Sequence, residues 1–316
     1  MRYSALSILQ MLNPNLSNFG GECSDDEISR CIKHGEQSDV VIGIGGGKTI
    51  NTAKIVAYKL NARMITVPTI ASTDSPTSSL GVIYTPDGIY DLVAKLYRKP
   101  DLVLIDSSII IKAPVRYFAS GMGIALSTWF EACSNLDSRS DNYIGDGYAT
   151  TIAGAKIAQA YNILIHDGRA AYIASKAGCL PQAVENIIEA NVLLSDLGFD
   201  NCGVSAAHGI HDALTILEPT HHLLHGEKVA FGVICLLVLE NRDPKKLEEV
   251  IRFCRELRLP TRLKDLELEN INDQQLLEVG NAAMHPTSVI HSVPLELPAK
   301  LIADAIRTAY YISSSL

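Results

Sequence analysis

Val40-Val41-Ile42-Gly43-Ile44-Gly45-Gly46-Gly47-Lys48-Thr49 runs directly into Ile50-Asn51-Thr52-Ala53-Lys54-Ile55-Val56-Ala57-Tyr58. An apolar, β-branched run ends in four glycines among five residues, after which apolar positions 50, 53, 55, 56 and 57 take up helical spacing. The pattern predicts a buried strand that turns sharply into a helix. Such a turn is built for phosphate. Glycines let the backbone approach an anion, and the free N–H groups of the first helical turn point at it with the positive end of the dipole. Lys48 brings a full positive charge to the same place.

Two familiar loops are excluded by counting. A Walker A loop needs a glycine five residues before its Gly-Lys pair, and that position is Ile42. A Rossmann fingerprint starting at Gly43-x-Gly45 needs its third glycine at position 48, which is Lys48. Gly45, Gly46, Gly47 and Lys48 therefore form a diphosphate loop of a third kind.

Working outward, Asp25 to Ile32 reads as a short capped helix before a strand at 39–44. Ser4 to Leu12 reads as a helical fragment and Leu16 to Gly21 as a short strand or loop. Met64-Ile-Thr-Val-Pro68 is a second strand, and it runs into the hydroxyl-rich loop Thr69-Ile-Ala-Ser-Thr-Asp-Ser-Pro76. Strands follow at 80–85, 92–96 and 102–106. Loops at strand C-terminal ends are where such sheets bind ligands. Past Pro114 the β-branched runs stop, and helical periodicity covers 115–134, 148–165, 169–177, 181–197, 203–217, 227–240, 244–257, 274–284 and 298–313. Residues 1–112 are thus expected to form an α/β domain, and residues 113–316 an all-α domain.

At 316 residues the chain suits two domains, and with 47% hydrophobic residues and a formal charge of −8 it reads as globular, with no basic stripe for nucleic acid. Its longest apolar stretch, Val229 to Leu239, is too short to span a bilayer. Seven scattered cysteines without a CxxC pair suggest neither a disulfide framework nor a thiolate metal site. Cys235 and Cys254 lie in apolar helical patterns and are expected in the core. The N-terminus does not read as a signal peptide, so the expected location is cytoplasmic.

Five of the nine histidines fall between positions 208 and 225. His208 and His211 are one helical turn apart and share a face, while His225 precedes a new helix at 226 or 227. Histidines converging from two helix ends could hold a divalent metal, or could simply cluster. A metal site and a diphosphate loop on one chain suggest a metal-assisted nicotinamide dehydrogenase.

Five segments carry a resemblance. Gly-Ile-Gly-Gly-Gly-Lys-Thr (43–49), Thr-Ile-Ala-Ser-Thr-Asp-Ser-Pro (69–76), Trp-Phe-Glu-Ala (129–132), Ala-Ala-His-x-x-His (206–211) and His-His-x-x-His-Gly-Glu-Lys-Val-Ala-Phe-Gly (221–232) occur in that order. Together they resemble the glycerol dehydrogenases of the iron-containing alcohol dehydrogenase superfamily. The resemblance implies a dehydroquinate synthase-like architecture, with a dinucleotide-binding α/β domain and a helical domain flanking a cleft. It also implies NAD-dependent oxidation of glycerol, or another vicinal diol, by a cytoplasmic homo-oligomer with zinc as Lewis acid. Carried across, Gly47 and Lys48 bind the diphosphate, and Thr69, Ser72, Ser78, Leu80 and Tyr84 line the nicotinamide side. Asp74 matches the residue that contacts glycerol. His208 and His225 match two of three metal ligands, and His211 and His222 match histidines that are not ligands.

Two departures from the family matter. The family opens with a strand and helix whose loop carries an aspartate for the adenosine ribose, and this sequence starts after that point. The third metal ligand is an aspartate in Gly-x-Gly-Asp-Ala-Leu-x-Thr-Trp-Phe-Glu-Ala, whereas here Gly121-Met-Gly123-Ile124-Ala-Leu-Ser-Thr-Trp-Phe-Glu-Ala places an alkyl side chain at 124. Asn51 and Asp212 are smaller changes. These features leave three readings: an active dehydrogenase, a cofactor-binding protein that no longer turns over, or an inactive product of a decayed gene.

Overall fold

The computed structural model describes residues 15–88, 90–142 and 147–316. The expected helical fragment at 4–12 lies outside them, and Leu16 to Gly21 is irregular chain rather than a strand. Helix α1 (Asp25–His34) is capped by Ser24, whose hydroxyl accepts from the Glu27 N–H, and carries three acidic residues in its first turn. Strand β1 (Val40–Gly45) and helix α2 (Gly47–Leu60) meet at Gly46, as the glycine run predicts. Strand β2 (Arg63–Pro68) pairs parallel with β1 along its whole length.

The remaining strands do not extend that sheet as a continuous series. Strands β3 (Leu80–Tyr84) and β4 (Tyr90–Lys95) form a separate antiparallel hairpin. Only β5 (Leu102–Val103) joins the parallel sheet, which has the order β1-β2-β5. Alternation in sequence shows that a segment is extended, not which neighbour it bonds, and the Thr85–Gly88 turn lets β4 fold back on β3. Among the described residues β1 has a hydrogen-bonded neighbour on one side only, and Val40 and Ile44 are exposed along it.

A short helix α3 (Ser107–Ile110) leads to Pro114, which opens the long helix α4 (Val115–Ser138). The two expected helices at 148–165 and 169–177 are one, α5 (Thr151–Lys176). Sequence reading breaks it at Gly168, but that glycine lies against the Phe253 ring, where an added Cβ would come within 2.7 Å. Close packing, not chain reversal, explains the residue. Conversely the stretch read as one helix at 181–197 is α6 (Gln182–Glu189), a π-turn (Ala190–Leu194) and α7 (Ser195–Cys202). Then come α8 (Ala206–Leu214), α9 (His225–Leu239), α10 (Pro244–Glu256), α11 (Asp273–Ala283) and α12 (Ala299–Ser315). Cys235 and Cys254 are fully buried, as their patterns predict.

Most of the core belongs to the helical half, centred on α9, which buries Val229 through Leu237 without interruption. A helix apolar all round must be surrounded, and α8, α4 and α12 pack around α9. Ala71 and Ile110 from the α/β half join the same core, so the two halves share packing at the seam. Close approach there depends on Gly121 of α4. A Cβ at 121 would stand 2.2 Å from the Ala71 carbonyl oxygen and 2.4 Å from Asn191 Nδ2.

Alanine raises helix propensity by about 1 kcal/mol over glycine, whereas overpacking against backbone costs about 1–3 kcal/mol. With the clash against backbone at the upper end of that range, Gly121→Ala should therefore lower the urea unfolding free energy by about 2 kcal/mol net. An unchanged or higher midpoint would show that α4 stands further from the seam.

Candidate active site

The glycine turn has the form that an anion needs. Gly46 is the N-cap of α2 and offers no side-chain cap, so the first N–H groups of the helix are left for another acceptor. A Cβ on Gly46 would lie 2.9 Å from Ile70 Cδ1, so a side chain here would require that terminal methyl to move aside. Lys48 is half exposed and pairs with Glu22, and its ammonium lies 5.6 Å from the Tyr84 ring centroid. Part of its charge is thus already balanced within the protein.

Loop 69–79 follows β2 and crosses beside this turn. The Thr69 N–H bonds the Gly45 carbonyl, and Ser72 and Leu80 are buried. Ser78 is buried with its hydroxyl on Lys54, so its Oγ already has a protein partner. Tyr84 closes β3 beside Lys48. Of the five residues expected on the nicotinamide side, Thr69 bonds the turn and Tyr84 stands beside Lys48, while Ser72, Ser78 and Leu80 are buried along the loop and the start of β3.

Beneath the loop lies Lys54, which sequence reading passes over. Its Nζ donates to the Ser75 carbonyl at 2.7 Å, the Ser78 carbonyl at 3.2 Å and Ser78 Oγ at 2.7 Å. Three acceptors suit three ammonium protons, yet burial pulls its pKa from the ordinary 10.5 to about 7. The signal was present. Positions 50, 53, 54 and 57 form one helical face, and Lys54 sits in the middle of that stripe.

Across the seam, α8 and α9 bring the histidines together. Ring centroids of His208 and His225 are 5.2 Å apart, and those of His211 and His225 are 4.2 Å apart. Each is oriented from behind. Glu131 of α4, fully buried, accepts from His208 Nδ1 at 2.6 Å through Oε2, while its Oε1 accepts the backbone N–H groups of Ser205 and His208 at 2.8 and 2.9 Å. One carboxylate both caps α8, whose N-cap Ser205 makes no side-chain cap, and fixes the His208 ring. Asp212 Oδ1 lies 2.8 Å from His211 Nδ1, and His211 Nε2 lies 3.0 Å from His225 Nδ1. A carboxylate can only accept, so His211 carries its proton on Nδ1 and accepts at Nε2 from His225 Nδ1–H. Both His208 and His225 then offer an Nε2 lone pair. The second ring nitrogen of His211 is taken up by His225, while the His222 Nε2 lies 3.3 Å from Glu267 on the surface.

Electrostatics follow from burial. Burial opposes protonation of His208, but Glu131 outweighs it and holds the pKa above the ordinary imidazole value. His225 and His211 are pushed well down by burial and stay neutral. Burial also raises the Asp74 carboxyl, which His208 partly offsets, so Asp74 lies within electrostatic reach of the cluster.

His208 and His225 supply two nitrogen donors suited to a divalent metal. Position 124, where the resemblance expects a carboxylate ligand, carries no donor atom. Ile124 is buried on α4, two turns before Glu131 on the same face, and its neighbour Gly123 abuts the Gly226 carbonyl at the start of α9. Among the described residues, no group of three or more His, Cys, Asp and Glu side chains is arranged to hold a metal.

A family model described as iron-containing alcohol dehydrogenase matches residues 7–107. A glycerol dehydrogenase of Thermotoga maritima is 46% identical over 297 residues, covering 93% of this chain and 81% of the relative. A glycolaldehyde reductase of Halobacterium salinarum is 41% identical over 294 residues, covering 92% of this chain and 80% of the relative. The crystal structure of a probable glycerol dehydrogenase from Sinorhizobium meliloti superposes with a TM-score of 0.90 at 49% identity, covering 94% of this chain and 84% of that one. The chain belongs to the iron-containing alcohol dehydrogenase family. Within it, the chain is of the glycerol dehydrogenase type, an oxidoreductase acting on CH–OH groups.

Two outcomes follow from the geometry. Because the folded Lys54 pKa lies below its unfolded value, the unfolded chain binds more protons between about pH 7 and 10.5, and this group's contribution to stability rises with pH across that window. The stability gap between wild type and Lys54→Met should accordingly move toward wild type between pH 7 and about 9.5 in urea titrations, whereas a constant gap would show an ordinary lysine. In Glu131→Gln the amide can present an N–H to His208 Nδ1 and shift the ring proton to Nε2. Zinc affinity, read by competition with a chromophoric chelator, should fall about 10–100-fold, and unchanged affinity would remove Glu131 from this role.

Proposed function

We propose that the protein catalyses NAD-dependent oxidation of glycerol to dihydroxyacetone, with zinc as the divalent metal, and that Ile124 leaves this turnover weak. The observation that carries the reading is the convergence at one seam of Asp74, an uncapped glycine turn, and two imidazoles whose Nε2 lone pairs are both set free by partners behind them. The diphosphate would lie on residues 45–48, with the nicotinamide toward Thr69, Ser72, Leu80 and Tyr84. Asp74 would accept a hydrogen bond from a substrate hydroxyl and so orient the carbinol C–H toward the nicotinamide.

His208 and His225 would hold the metal. When bound, a divalent cation lowers the pKa of an alcohol enough for hydride to leave as its proton does. The chain's own contribution is to fix both imidazoles, bury Asp74 beside them and keep the site shielded by the α4–α9 packing. Glycerol and glycolaldehyde each present two adjacent oxygens, and the relatives named for them support a small vicinal oxygen pair as substrate class. The reading includes a cytoplasmic homo-oligomer. Seven free cysteines suit a reducing compartment, and the open β1 edge with Val40 and Ile44 suits self-association.

The second reading, a cofactor-binding protein with little or no turnover, rests on Ile124 alone. Two neutral imidazoles bind zinc more weakly than two imidazoles with a carboxylate. Ile124→Asp should raise zinc occupancy of the purified protein toward stoichiometric and increase glycerol-dependent NAD reduction. Wild type already carrying stoichiometric zinc, with Ile124→Asp changing neither quantity, would show that another residue completes the site.

A further inference from the structure

The loop carrying Asp74 is gripped at three points by one short piece of the helical half. Asn191 Nδ2 donates to the Ala71 carbonyl at 2.9 Å, Thr77 Oγ1 donates to the Val192 carbonyl, and Ser195 Oγ donates to Asp74 Oδ2 at 3.2 Å. Ala71, Asp74 and Thr77 are spaced three residues apart, and Asn191, Val192 and Ser195 all belong to the π-turn or the residue that follows it. Asn191 and Ser195 are fully buried, and Thr77 nearly so.

A π-turn is rare and persists where tertiary contacts hold it. Here the Ser195 N–H reaches back five residues to the Ala190 carbonyl, so the backbone register slips at the point where the loop is held. Gly121 leaves the space in which Asn191 meets the Ala71 carbonyl, and Asn191 Nδ2 also bonds the Phe118 carbonyl at 3.1 Å, tying the grip to α4. Thr128 Oγ1 stands 3.2 Å from Ser195 Oγ, which places the hydroxyl from its other side. Lys54 supports the same loop from below through Ser75 and Ser78.

We propose that the π-turn is a clamp on the substrate loop, and that Asn191, Ser195 and Thr77 are positioning residues that set the Asp74 carboxylate for the diol. Ser195 occupies one carboxylate oxygen, so the other is the one offered to a substrate hydroxyl. The glycine turn itself makes none of the three gripping contacts, so NAD affinity should depend on the clamp far less than glycerol affinity does, although Ser72 of the nicotinamide side lies within the gripped loop. This inference rests on the reading of Asp74 as the substrate-contacting residue.

Calorimetric titration of glycerol into NAD-saturated protein, with a separate NAD titration and a thermal melt for each variant, tests both levels. Asp74→Asn should abolish or strongly weaken glycerol binding. Unchanged binding in that variant, or no glycerol binding by wild type, overturns the Asp74 reading and the clamp with it. Ser195→Ala and the isosteric Thr77→Val should each raise the glycerol dissociation constant about tenfold, with NAD affinity and melting temperature near wild type. Thr77→Ser, which keeps the hydroxyl in a smaller side chain, should bind glycerol as wild type does. The clamp is overturned if Ser195→Ala and Thr77→Val bind glycerol normally while Asp74→Asn does not. It is equally overturned if NAD and glycerol affinity fall by the same factor, which marks a general loss of structure.

Discussion

The site is organised by one buried carboxylate. Glu131 has no solvent contact, and its two oxygens take three hydrogen bonds: two from the backbone at the start of α8 and one from the His208 ring. An ionised group in a low-dielectric interior is tolerated only when its acceptor capacity is used, so α8 must begin where Glu131 can reach its N–H groups. That requirement ties α4 to α8 and sets the His208 tautomer in the same step. A neutral residue could pack in the space, but it could not take all three donors and also leave the Nε2 lone pair free.

Close helix approach is the condition for this arrangement. Gly123 and Gly226 face each other where α4 meets α9, and a Cβ on Gly226 would fall 1.9 Å from the Ser120 carbonyl oxygen. A Cβ on Gly232 would fall 2.3 Å from the Ala207 carbonyl oxygen, where α9 meets α8. Three helices are brought within backbone contact by missing side chains, and the imidazoles they carry are consequently held within ring-contact distance. Lys99 makes a further tie across the seam, its ammonium lying 2.6 Å from both Asp196 and Asp200 of α7.

Against this background Ile124 packs without fault. It is buried, its carbonyl is satisfied by Ser127 and Thr128, and the helix around it keeps its contacts. An alkyl group is at ease in a dry interior where a carboxylate needs a cation or donors. Position 124, where the resemblance expects an aspartate, thus offers no charge, while Glu131, His211 and Asp212 stand in place behind the imidazoles.

Local sequence determined a good deal. The β1–α2 turn follows from glycine conformational freedom, and the sharing of one face by His208 and His211 follows from the helical period, because both depend only on near neighbours along the chain. The motif at 129–132 contains Glu131, but nothing in its spacing says that it reaches α8, seventy-odd residues away, to hold His208. Lys54 reads as an ordinary helix lysine until the loop above it is in place, although its position in an apolar stripe is visible. The separation of the β3–β4 hairpin from the parallel sheet and the continuity of α5 through Gly168 were decided by packing against distant residues. So was the π-turn at 190–194, whose partners Ala71, Asp74 and Thr77 lie more than a hundred positions earlier. Periodicity records which face of an element is buried, and only the tertiary structure states what that face is buried against.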